Sequence, residues 1–302
     1  MSFRVFKKPL YWITRPLAKA MVYPGSIRLF MSEALRDAQR MKAHMIDLGG
    51  EGLQISTSDG RLLDAMFFDS GKIHTPKNSF WEKANSSSLT VIFCGGNGML
   101  FEHAWTIVKF FLTQGLNVMA FNYGGYGDSV GPPTVENTYK DIEAIFQHVT
   151  EKKSIPSSRI VVYGLSIGGA MAAHLASIHP VHLVLDKAFT TIGEVPKVKI
   201  LGILADFLYP YDNISKIKAI KGNIHIVKSN EDELITGEHG ERFFQEILRT
   251  RHPSAENSEK EALHSTYVTL VPGNHNACWM DSTPAFFSAQ NKFIETFLKT
   301  LI

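Results

Sequence analysis

The chain has 302 residues, 44% of them hydrophobic and 20% charged, with 31 lysines and arginines against 29 acids. That is the balance of an ordinary globular protein, long enough for one large α/β domain, and a net charge of +2 gives no reason to expect a nucleic-acid partner. Two cysteines, Cys94 and Cys278, make no disulfide framework, which points to a reducing compartment.

Residues 1–48 read as a basic, aromatic N-terminal helical segment, and residues 49–302 as the main domain. Arg4, Lys7, Lys8, Arg15, Lys19 and Arg28 precede the first acid, Glu33, and are interleaved with Phe3, Phe6, Tyr11, Trp12, Tyr23 and Phe30. No apolar run reaches the roughly 18–20 residues of a membrane span, and Arg15-Pro16 spoils a signal-peptide core. The expected location is therefore the cytoplasm or, peripherally, a cytosolic membrane face. Two readings of residues 1–32 stand. One is an interfacial segment in peripheral contact with that membrane. The other is a basic helix whose aromatics join the core.

Ser32–His44 has a helical composition. Leu53–Thr57 and Arg61–Phe68 read as strands of a hairpin turning at Ser58-Asp59-Gly60. After a polar loop over Gly71–Ser88 comes a series of strands alternating with helices. The expected strands are Leu89–Cys94, Leu116–Phe121, Ile160–Tyr163, His182–Leu185, Ile224–Val227 and Thr266–Val271. The expected helices are His103–Thr113, Val135–Thr150, an alanine-rich stretch after Gly169, Gly240–Arg249 and Phe286–Leu301. This alternation predicts a mainly parallel, doubly wound sheet with the antiparallel hairpin at its edge and ligands at the carboxyl ends of the strands. A small helical cap is expected at about 190–222, where Ile200–Tyr211 either lines an acyl pocket or covers the core.

Gly164-Leu165-Ser166-Ile167-Gly168 lies between a β-branched strand and a small-residue helix, the strand–turn–helix context of a G-x-S-x-G nucleophile. Glycines two before and two after the serine avoid Cβ collisions in so sharp a turn. A serine hydroxyl needs a base within reach, and an imidazole needs a carboxylate to orient it. Asp232 follows the penultimate strand and His275 the last, so the chain order is Ser, Asp, His. For the acid, Glu231 and Glu233 adjoin Asp232, and Asp186 is the stronger rival. Asp232 is favoured because Leu234-Ile235 can anchor its loop. Among the histidines, His252 and His264 lie in or beside a polar insertion, and His103, His174 and His179 on or near helices. Two backbone N–H groups are expected to face a developing oxyanion, that of Ile167 and that of Asn97 in Gly95-Gly96-Asn97-Gly98. No metal-ligand spacing or Walker-type phosphate loop is present, so no metal or cofactor is expected.

From Leu53 to the C-terminus the chain resembles a serine hydrolase of the α/β-hydrolase superfamily. More narrowly, it is similar to the branch holding membrane-associated acyl-protein thioesterases (depalmitoylases) and related lipid or peptidase-like hydrolases. The segments that carry this are Phe121–Ser129, Gly164–Gly169, Glu231–Ile235 and Gly273-Asn274-His275-Asn276. The resemblance implies an α/β-hydrolase fold and a triad completed by Asp232 and His275. Where relatives often have His-Gly at the oxyanion turn this chain has Gly95-Gly96, which leaves the main-chain donor. The expected function is cleavage of an ester or thioester of an acyl chain through an acyl-enzyme. The substrate would be an acylated small molecule, a lipid or an acyl-protein. A peptidase or amidase, or a non-catalytic binding protein that keeps the fold, are the alternatives.

Overall fold

The computed structural model describes residues 22–26, 32–73, 89–195, 209–251 and 266–301. Several expectations therefore lie outside the described residues: most of the segment 1–32, residues 74–88 of the polar loop, residues 196–208 of the cap stretch, and the insertion with His252 and His264.

The strands are β1 (Glu51–Ser56), β2 (Leu62–Phe68), β3 (Thr90–Cys94), β4 (Asn117–Phe121), β5 (Ile160–Leu165), β6 (His182–Asp186), β7 (Ile224–Lys228) and β8 (Thr266–Leu270). Among the described residues they form one eight-stranded sheet, in the order β1-β2-β4-β3-β5-β6-β7-β8. β1 pairs antiparallel with β2, and β2 antiparallel with β4; all other neighbours are parallel. The hairpin thus forms the expected antiparallel edge. Its turn closes with Thr57 N–H donating to Arg61 O and Gly60 N–H to Thr57 O, both at 2.9 Å, and Gly60 takes a φ of +80°.

The main helices are α1 (Ser32–Asp47), α2 (Trp105–Thr113), α3 (Val135–Gln147), α4 (Gly168–Ile178), α5 (Gly237–Arg251) and α6 (Phe287–Thr296). α1 runs past the expected end at His44 to Asp47, α5 exceeds the expected Gly240–Arg249 at both ends, and three others differ in form. A 3-10 turn, Phe101–Ala104, leads into α2; α3 widens into a π turn over His148–Lys152; and α6 gives way at Phe297 to a 3-10 turn over Leu298–Leu301.

Strand residues of period two feed two cores on opposite sheet faces. Ile160 and Val162 of β5 join the core that holds Ile142 and Ile145 of α3, Met171 and Leu175 of α4 and Phe243 of α5. Val161 and Tyr163 join the core that holds Ile107 and Phe111 of α2 and Phe293 of α6. Strands buried on both faces explain the near-continuous apolar runs of β3 and β5.

Candidate active site

Ser166 stands between β5 and α4 with a φ of +55°, a left-handed conformation rare for a residue with a side chain. Its N–H donates to Asp186 O at 2.9 Å, which ties the turn sideways to β6. The flanking glycines are required by close approach. A Cβ on Gly164 would lie 2.6 Å from the Gly168 carbonyl oxygen, and one on Gly168 would overlap the Cys94 carbonyl of β3. The sharp turn lifts the serine above the sheet at the N-terminus of α4.

His275 meets Ser166 from the loop after β8. Its Nε2 lies 3.0 Å from Ser166 Oγ, and its Nδ1 lies 2.7 Å from Asp232 Oδ2. The Asp232 side chain is fully buried. Burial opposes its ionisation, but the His275 ring and the Ile235 and Leu234 amides outweigh this and hold its carboxyl below the ordinary value. A carboxylate can only accept, which assigns the ring proton to Nδ1 and leaves Nε2 to accept from the Ser166 hydroxyl. The other oxygen of Asp232 accepts from Leu234 N–H at 2.9 Å and Ile235 N–H at 2.8 Å, and Ile235 is buried. The apolar pair after the aspartate therefore anchors its loop.

Asp186, the rival acid, is employed elsewhere. Its Oδ2 accepts from the Tyr163 hydroxyl and, at 2.8 Å, from Trp279 Nε1. Burial keeps its carboxyl above the ordinary range, against the opposing pull of Lys187 and these two bonds. Glu231 and Glu233 also stand apart from the imidazole, since Asp232 alone of the three is hydrogen-bonded to it. His174 stacks on Tyr139 and meets Glu143 at 2.7 Å, and His179 stacks on Phe146.

Lys187, Trp279 and His239 carry parts that the sequence reading did not assign. Lys187, 4% exposed, donates from Nζ to the carbonyls of His275 (2.9 Å) and Ala277 (2.6 Å). A buried ammonium thus holds the loop that carries the imidazole. Trp279 closes the same loop onto Asp186. His239 Nδ1 accepts from the Thr190 N–H at 3.2 Å and fixes the start of the cap stretch. The signals were a lysine directly after a strand and a Cys-Trp-Met run directly after His275-Asn276-Ala277, but nothing local says what either touches.

Asn97 and Ile167 both line the cavity that holds Ser166. Ile167 is the residue that caps α4, so its N–H has no helix carbonyl to serve. The loop bearing Asn97 is braced by the glycine-rich segment after β4. Tyr123 donates to Gly95 O at 2.9 Å, and Asn122 Oδ1 accepts from Phe101 N–H at 3.0 Å. Arg61 of the hairpin and the Gly124 amide both bond the buried Asp141, so the brace is itself fixed.

The cavity measures about 680 Å³ and draws its apolar lining from both cores. Val22, Ile167, Phe189, Ile192, Val195 and Ile235 come from one, and Ala104, Ile107, Tyr163, Trp279 and Met280 from the other. Val22 and Tyr23, inside the segment read as basic and aromatic, are buried in the body of the molecule.

Comparison with known proteins bears on the fold and the family. The family model described as serine aminopeptidase, S33 (Hydrolase_4) matches residues 85–261. Among curated proteins, the chain is 25% identical over 232 residues to the α/β-hydrolase domain-containing protein WAV2 of Arabidopsis thaliana, covering 69% of this chain and 70% of that one. It is 23% identical over 262 residues to the human phosphatidylserine lipase ABHD16A, covering 80% of this chain but only 45% of the lipase. It is 28% identical over 184 residues to the human α/β-hydrolase domain-containing protein 17B, covering 57% of this chain and 63% of that one. Among solved structures, an α/β hydrolase from Vibrio vulnificus superposes with a TM-score of 0.63 at 21% identity, covering 96% of this chain and 92% of that one. The esterase Pf2001 of Pyrococcus furiosus superposes with a TM-score of 0.62 at 18% identity, covering 85% and 93%. A family match across more than half of the chain, on a sheet shared with these hydrolases, makes the protein a member of the α/β-hydrolase superfamily, in the family described as serine aminopeptidase, S33.

Proposed function

We propose that the protein is a serine hydrolase that cleaves an ester or thioester of an acyl chain through an acyl-enzyme, with Ser166 as nucleophile, His275 as base and Asp232 as the orienting acid. The observation that carries this reading is the 3.0 Å contact between Ser166 Oγ and His275 Nε2, with Asp232 2.7 Å behind the ring. In the first step Nε2 takes the hydroxyl proton as Oγ attacks the acyl carbon, and the developing oxyanion faces the N–H groups of Ile167 and Asn97. The imidazolium then returns the proton to the leaving oxygen or sulfur. Water enters by the same route, and its attack releases the acid and restores Ser166. Every proton moves on residues of the chain, so the chemistry calls for no cofactor or metal.

The apolar cavity favours an acyl chain over a polar substrate. The likeness to a phosphatidylserine lipase supports a lipid or other acyl ester, although the chain spans under half of that relative's length. Lipid or acyl-protein substrates lie at membranes, which supports peripheral contact through residues 1–32. The family description favours one second reading, a peptidase acting through the same three residues. A fluorophosphonate probe should label the wild type and not Ser166→Ala. A panel of acyl esters, acyl-thioesters and aminoacyl amides should show ester or thioester turnover dominant. Absence of labelling in a folded wild type overturns the hydrolase reading, and amide turnover dominant over both esters and thioesters favours the peptidase.

A further inference from the structure

Residues Val22–Ser26 cross the body of the molecule beside the candidate site and are held on four sides. The Tyr23 hydroxyl bonds that of Tyr211, which bonds Thr138 of α3 at 2.8 Å. The Tyr23 ring meets Tyr209 edge-on, with centroids 5.3 Å apart. Pro24 packs on the loop bearing Asn97, where a Cβ on Gly98 would lie 3.5 Å from its ring. Ser26 stands against Gly125, after β4. The strap also ties itself off, Ser26 donating from N–H and Oγ to the Tyr23 carbonyl at 3.1 and 2.9 Å.

This clamp fixes Val22, which is 3% exposed and lines the cavity with Ser166. Its apolar neighbours in the same core and the same cavity wall are Ile167, Phe189, Ile192 and Val195. We propose that Val22 is a specificity-determining residue, the part of a fixed N-terminal strap that forms one wall of the acyl pocket and sets the chain length accepted there. The proposal rests on the serine-hydrolase reading and adds to it a segment that precedes the hydrolase domain in sequence. A branched, conformationally stiff side chain on a pinned backbone makes a hard wall, because neither rotamer change nor strap movement relieves an overlong chain. Each methylene that the pocket can bury is worth about fourfold in kcat/KM, so a change of one or two carbons in pocket depth is measurable.

The test compares p-nitrophenyl butyrate with p-nitrophenyl dodecanoate in the full chain. In Val22→Phe the ratio of kcat/KM for dodecanoate over butyrate should fall at least tenfold, because the ring takes up pocket depth. In Val22→Ala the ratio should rise several-fold. Ratios unchanged from wild type in the variants that fold overturn the assignment, and a loss of both esters in the same proportion counts as unchanged. The alanine variant removes volume only and serves if the phenylalanine variant does not fold. A wild type that hydrolyses neither ester and takes no fluorophosphonate label defeats the underlying hydrolase reading instead, and the wall assignment with it.

Discussion

Replacing Lys187 by methionine keeps a long apolar stem and removes the ammonium that holds the His275 loop. Two bonds are lost, to the carbonyls of His275 at 2.9 Å and Ala277 at 2.6 Å. Hydrogen bonds to a charged group contribute about 1.5–3 kcal/mol each, and relief of a buried ammonium's desolvation returns part of that, so the net loss of stability is about 2 kcal/mol. The effect on rate should be larger than a mere stability change explains. The contact is to the backbone of the residue whose ring faces Ser166, and a displacement of about 1 Å at a reacting group costs about 100-fold in rate. Lys187 is a positioning residue in this account: it touches the base's main chain and no reacting atom. The assay is kcat and KM for a short-chain ester alongside urea denaturation. The expected split is a kcat lowered about 100-fold with KM within about threefold, in a protein that is still folded, with fluorophosphonate labelling slowed in step. A folded variant with kcat within twofold of wild type would refute the reasoning.

Glu102, buried beneath Asn122, supplies a pH test. Burial pushes its carboxyl from 4.5 up to about 7, against the opposing bonds from its own backbone and Asn122. Over that interval the folded protein binds more protons than the unfolded chain, so stability falls as pH rises from 4.5 through 7 and stays low above. Glu102→Gln should match wild type near pH 4 and exceed it at pH 8, by up to about 3 kcal/mol from a 2.5-unit shift; urea midpoints that differ equally at both values would rule this out. At the N-terminus, flotation with anionic liposomes should bring up the full chain but not a form lacking residues 1–21, which retains the strap. Equal flotation of both would remove the membrane contact from the proposal.

The elements of the sheet and the Ser166 turn were legible because their causes are local. Short apolar runs, near-continuous where a strand is covered on both faces, mark strands, and a serine between Gly164 and Gly168 marks a turn that tolerates no Cβ at either glycine. Asp232 and His275 could be placed by chain order, since the residues after parallel strands gather at one sheet edge. Asp186 satisfied the same rule and was separable only in three dimensions. In register with Leu165, it turns its carboxylate toward Tyr163 and Trp279 rather than toward the imidazole. Lys187 was opaque because its partners are carbonyls 88 and 90 residues away, and carbonyls leave no mark in a sequence. Tyr23 reads the same in a membrane-facing segment as in a buried one. Its burial and its contacts with Tyr209 and Tyr211 distinguish them.

The contact between Tyr23 and Tyr211 joins positions 188 apart, and the strap's other partners are Tyr209 and the β3–α2 and β4–α3 loops. The strap is therefore fully held only once Tyr209 and Tyr211 have been made, after more than half of the chain. During synthesis it leaves the ribosome early yet must wait, and closing so long a span is slow compared with the local steps around it. The wall that Val22 forms is accordingly completed long after Val22 itself has been made.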